Sequence, residues 1–112
     1  MRSMKNFLKV AAVASALTVA LSTTALASYW NYDGTYWEFC DDNGHRVSGD
    51  WVTWNGNWYH LNNIGHMNIG WFQDGVTNDW YFANDDGSMR TADLAQDGKV
   101  FHFAADGKCL NK

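Results

Sequence analysis

Trp51-Val52-Thr53-Trp54-Asn55-Gly56-Asn57-Trp58-Tyr59-His60-Leu61-Asn62-Asn63-Ile64-Gly65-His66-Met67 is the clearest of four related stretches in this chain. It holds two glycine turns with short aromatic segments on either side. Its opening Trp recurs as Trp30, Trp51 and Trp71, and the fourth copy places Leu94 there, at successive spacings of 21, 20 and 23 residues. A period near 20 marks stacked supersecondary units in place of one globular core.

The first turn of each copy is Asp33-Gly34, Asn55-Gly56, Asp74-Gly75 or Asp97-Gly98, and the second is Asn43-Gly44, Ile64-Gly65, Asp86-Gly87 or Asp106-Gly107. Asn-Gly and Asp-Gly favour type I′ turns, whose two central residues both need φ > 0. Each copy therefore reads as strand, tight turn, strand and looser connection, an all-β tandem array of hairpins stacked as a solenoid or superhelix. The repeat region shows no helical period and no Pro.

The N-terminus reads differently. Arg2, Lys5 and Lys9 precede an apolar run from Val10 to Leu21, and Ala25-Leu26-Ala27 fits a small-residue cleavage site. This predicts a signal peptide over 1–27 and a mature, secreted domain over 28–112 with no transmembrane segment after processing. The apolar run is shorter than the roughly 20 residues a spanning helix needs. The mature region would hold all twelve acidic residues against five Lys and Arg, a net charge of about −7. That excludes a basic footprint for nucleic acid and favours a cationic ligand.

Alternation along the second strands divides their residues between two faces. One face is expected to carry Trp37 and Phe39, Tyr59 and Leu61, Tyr81 and Ala83, and Phe101 and Phe103, as the stacking core. The other carries Tyr36 and Glu38, Trp58 and His60, Trp80 and Phe82, and Val100 and His102, and is expected to be wet. A large aromatic at one wet position in three consecutive copies is a patterned surface of the kind that binds ligands. The bland alternative is that Trp58 and Trp80 only pack between neighbouring hairpins.

The pattern G-W-x(3–4)-G-x-W-Y-x-L-x(2–3)-G-x-M resembles the choline-binding, or cell-wall-binding, repeats of Gram-positive surface proteins. Gly70-Trp71 followed by Trp80-Tyr81-Phe82-Ala83-Asn84-Asp85-Asp86-Gly87-Ser88-Met89 is close to that consensus, and the resemblance spans residues 30–109. Related glucan-binding repeats share much of it. The resemblance implies a superhelix of hairpins with choline sites between consecutive copies, built from two aromatics of one repeat and one of the next, with a Met nearby. Aromatic faces attract a quaternary ammonium at ~0.5–2 kcal/mol per ring.

Carried over, the middle cage would use Trp51, Trp58 and Phe82, lined by Met67. The third would use Trp71, Trp80 and either His102 or Phe101, with Met89. The first would use Trp30 and Tyr36, closed by His60 or Tyr59. His60, His102 and Glu38 depart from the family's usual Tyr, and a protonated imidazole would repel a cation. The fourth copy, with Leu94 and Val100 for the two Trp, would found no cage of its own and reads as a cap.

The four His lie without metal-ligand spacing, the Asp-rich turns lack the distal Glu of a calcium loop, and four hairpins leave no residues for a catalytic domain. No metal, cofactor or enzymatic activity is therefore expected. Cys40 and Cys109 fall at different repeat positions, so an intramolecular bridge, two thiols and an intermolecular link all stay open. The sequence reading is a secreted, surface-associated module bound to choline on teichoic acids. An α-glucan ligand, with Asn62, Asn63 and Asp50 as polar partners, and a self-assembling structural adaptor or homo-oligomer are the alternatives.

Overall fold

The computed structural model describes residues 27–112; the expected signal peptide lies, except for its last residue, outside the described residues. Eight short strands follow in order: β1 Tyr29–Tyr32, β2 Trp37–Cys40, β3 Asp50–Trp54, β4 Asn57–Leu61, β5 Gly70–Gln73, β6 Trp80–Ala83, β7 Leu94–Gln96 and β8 Lys99–Phe101. They pair only as sequential antiparallel hairpins, giving four two-stranded sheets. Among the described residues there is no helix.

The first turns vary between copies. Asn55-Gly56 (φ 51° and 84°) and Asp97-Gly98 (φ 53° and 77°) place two consecutive residues at positive φ, as a two-residue I′ loop requires. Asp33-Gly34 and Asp74-Gly75 do not. Their loops are longer, and the Asp carboxylate folds each one locally. Asp33 Oδ1 accepts the amides of Thr35 and Tyr36 at 2.8 and 2.7 Å, and Asp74 Oδ1 those of Val76 and Thr77 at 2.7 and 3.0 Å. These are Asx turns, in which the side chain replaces a backbone acceptor.

The second turn is the constant one. Gly44, Gly65, Gly87 and Gly107 all have φ between 79° and 88°. Their amides donate to the carbonyls of Asp41, Asn62, Asn84 and Ala104 at 2.8–2.9 Å. Each turn returns the chain for a single antiparallel bridge: Cys40 with Arg46, Leu61 with Met67, Ala83 with Met89 and Phe103 with Cys109. What reads as a loose connection is thus a third, one-residue strand.

That returning residue also links the copies. The amide of Met67 donates to the Trp37 carbonyl (2.9 Å), Met89 to Trp58 (2.8 Å) and Cys109 to Trp80 (2.7 Å). These bonds fix the correspondence between repeats: Trp37, Trp58 and Trp80 are equivalent. The first copy is therefore one residue out of step with the sequence reading, which matched Tyr36 to Trp58. Trp37 is 42% exposed and does not belong to the core. Leu94 likewise pairs with Phe101, in the step that Phe72 takes opposite Tyr81. Asp93 takes the step of the opening Trp, and its carboxylate meets His102 Nδ1 at 2.9 Å.

The buried apolar residues are Phe39, Leu61, Phe72 and Ala83. Three of them, Phe39, Leu61 and Ala83, were placed on the core face by alternation. They do not line one common face. The face of one hairpin that carries its opening Trp packs on the opposite face of the next hairpin, as shown by Phe39 on Trp54 (5.8 Å) and His60 stacked on Phe72 (4.7 Å).

Candidate functional site

The same packing rule builds three aromatic clusters. Trp30 lies 6.4 Å from Trp37 of its own hairpin and 5.1 Å from Tyr59 of the next. Trp51 lies 6.5 Å from Trp58 and 4.9 Å from Tyr81. Trp71 lies 6.4 Å from Trp80 and 4.8 Å from Phe101. All six of these ring pairs meet steeply, at interplanar angles of 69–90°. Edge-to-face contact is the arrangement aromatic quadrupoles prefer, and it leaves ring faces free to line a concave site.

The first cluster opens as a pocket of about 450 Å³ whose lining includes Trp30, Trp37, Tyr59, Met67, Asp85 and Asp86. The Ser88 hydroxyl and amide hold the Asp86 carboxyl below the usual carboxylate range, so it is anionic at neutral pH. In the middle cluster, burial and the carboxylates of Asp79, Asp106 and Asp74 push the Tyr81 phenol up. Both settings are anionic and suit a cation. Methionine placement follows from the turns. A methyl group at Gly87 would overlap the Met67 thioether, and one at Gly107 the Met89 thioether, so each Met seats on the turn glycine of the following copy.

The geometry brings together Trp51 with Trp58, and Trp71 with Trp80 and Phe101. It separates other residues grouped from sequence. Phe82 contacts Trp71, its cross-strand partner, at 5.2 Å, and Tyr81 is the ring on Trp51. Met67 lines the first cluster, and its equivalent at the middle one is Met89. Tyr36 stacks on His66 at 4.0 Å, outside the first cluster. His60 is the cross-strand partner of Trp51 and bonds Asn68 Oδ1 through Nδ1 at 2.6 Å; His102 faces Asp93. Tyr59, one of the two closing residues named for the first site, is the ring that meets Trp30, whereas Trp37 and Tyr81 are cluster rings that sequence reasoning missed.

Asp33, Glu38 and His66 converge within 4.8 Å. The Asp33 carboxylate is engaged by its turn amides and Glu38 by Arg46 at 2.9 Å, so this group is an ion-pair and turn network. Cys40 and Cys109 are free thiols.

Residues 49–67 and 69–89 match a family model described as "Putative cell wall binding repeat". These two stretches carry that family's repeat pattern. The two matches are the central hairpins with their second turns. The fold is similar to that of choline-binding protein F of Streptococcus pneumoniae, solved in the presence of a peptidoglycan analogue. That protein is 27% identical, with a TM-score of 0.64 over 79% of this chain and 28% of that one. CbpJ of the same species is 33% identical, with a TM-score of 0.62 over 71% and 27%. The cell wall endolysin of phage Cp-1, solved with choline, is 25% identical, with a TM-score of 0.64 over 75% and 25%. In sequence, the chain is 30% identical over 73 residues to glucosyltransferase-S of Streptococcus mutans, covering 63% of this chain but 5% of that enzyme. The chain thus spans a small part of each of these proteins.

Proposed function

We propose that the chain is a secreted, non-catalytic module that attaches to the cell envelope by binding choline on teichoic or lipoteichoic acids. The carrying observation is the repeated three-ring cluster, in which each opening Trp meets a Trp of its own hairpin and a Tyr or Phe of the next. A quaternary ammonium donates no hydrogen bond, so ring faces with nearby carboxylates are what can hold it. Solved relatives named as choline-binding or complexed with choline support this ligand. The superhelical arrangement of the hairpins belongs to the same reading, as does secretion, which rests on the basic and apolar N-terminal pattern. Individual sites are weak, and several on one polymer add avidity.

Calorimetric titration with choline tests it. Tyr59→Ala and Tyr81→Ala should each remove one binding equivalent, whereas Phe82→Ala should leave the count unchanged. If Phe82→Ala removes a site and Tyr81→Ala does not, the assignment of rings to cages is wrong. No heat with the unaltered chain at millimolar choline would refute the reading itself.

A second reading has its own observation. A cleft of about 520 Å³ between the second and third hairpins is lined by Trp51 and His60 together with Asp50, Asn62, Asn63 and Gln73. Rings beside amides and a carboxylate suit a glucan, and the similarity to a glucosyltransferase points the same way. Retention on dextran, competed by oligosaccharide and unaffected by choline, would favour it.

A further inference from the structure

The third cage is not equivalent to the other two. Lys112 Nζ lies 4.8 Å from the Trp71 ring centroid, 4.7 Å from Trp80 and 5.9 Å from Phe101. One ammonium thus faces all three rings of that cluster at cation–π distance.

The segment that delivers it is held in place. Cys109 N donates to the Trp80 carbonyl at 2.7 Å and Leu110 N to the His102 carbonyl at 2.8 Å. Asn111 Oδ1 accepts from His102 N at 2.9 Å, Asn111 Nδ2 donates to the Val100 carbonyl at 3.0 Å, and Lys99 Nζ donates to the Asn111 carbonyl at 2.8 Å. Three consecutive residues before Lys112 are therefore tied to the last hairpin or to the one before it. The equivalent positions, three residues beyond Met67 and Met89, are Gly70 and Ala92. Neither side chain can reach into a cage, and the Met position itself is Cys109 at the third cage.

Resting on the cage reading above, we propose that the third cage is a primary-alkylammonium site whose resident ligand is the chain's own Lys112. Lys112 is then the residue that sets how many cages accept an external ammonium. A tethered group acts at an effective concentration of the order of millimolar, so free choline must exceed that level to displace it. The first two cages stay open while the third is closed from within.

Two measurements on the full chain test this. In proton–carbon spectra of lysine-labelled protein, ring currents should move the Lys112 ε-CH₂ signal upfield of Lys108, which pairs with Asp79 at 4.0 Å. Saturating choline, or Trp80→Ala, should return it towards Lys108. A Lys112 signal that coincides with Lys108 overturns the proposal whatever choline does. In titration at choline levels below those that displace Lys112, the unaltered chain should bind two choline equivalents and Lys112→Gln three. Three equivalents in both, or two in both, overturns the claim that Lys112 closes the site. No choline binding by either protein refutes the choline reading, and the NMR signal then decides the Lys112 contact by itself.

Discussion

Gly87→Ala tests the link between turn and cage most directly. At Gly87 φ is 86°, and a Cβ there would collide with Met67, the side chain that lines the first aromatic pocket. Two costs arise. An L-residue in the left-handed region costs about 1–2 kcal/mol, and forcing a side chain from a packed seat costs about 1–3 kcal/mol. Gly56 provides the control. Its φ of 84° is nearly identical, but nothing lies within 4 Å of its built Cβ. Gly56→Ala should therefore cost only the backbone penalty, about 1–2 kcal/mol, and Gly87→Ala about 2–5 kcal/mol. Urea unfolding followed by tryptophan fluorescence gives both midpoints. Only Gly87→Ala should also weaken choline at the first cage, and Met67→Ala in the Gly87→Ala background should recover part of the stability. If Gly87→Ala proves no more destabilising than Gly56→Ala, Met67 is not seated on that glycine and the turn does not shape the cage.

Leu61 is fully enclosed, at 0% exposure, and Leu61→Ala should cost about 2–5 kcal/mol in the same urea assay; a loss under about 1 kcal/mol would mean the site collapses without a cavity. Acid should also destabilise the fold. Asp74, Asp33 and Asp86 are held below the usual carboxylate range by turn amides and, at Asp86, first by the Ser88 hydroxyl. A carboxyl whose folded pKa is depressed contributes stability above the unfolded value of about 3.9, and that contribution is lost as pH falls through the lower folded value. The melting midpoint should be flat above about pH 5 and decline below about pH 4; a midpoint unchanged down to pH 2.5 would show that these turn bonds do not matter to folding.

The hairpin repeat was legible because Asx-Gly turns and aromatic strands recur with one period. The phase of the first copy was not, because the β1–β2 loop is four residues long where β3–β4 has two. Matching outward from the first turn then aligns Tyr36 with Trp58. The constant second turn carries the better signal: Trp37, Trp58, Trp80 and Val100 each stand seven residues before Gly44, Gly65, Gly87 and Gly107. Counting back from those glycines recovers the true correspondence. The middle closing ring, Tyr81, was missed for another reason, and Tyr59 and Phe101 were named only as alternatives to His60 and His102. Strand alternation assigns residues to faces within one hairpin but does not say which face the neighbour presents. Trp51 meets Tyr81, not Phe82, because successive hairpins contact through unlike faces.

The bonds from Met67, Met89 and Cys109 back to Trp37, Trp58 and Trp80 give the array a polarity, since each copy completes its predecessor and none completes itself. The element that can be inherited as a working site is accordingly the seam between two copies, not the copy. Loss of the second period would bring Trp30 and Trp37 against Tyr81 and Met89 and regenerate a seam of the same composition. Arrays of this kind can lengthen or shorten by unequal exchange while every surviving junction stays competent.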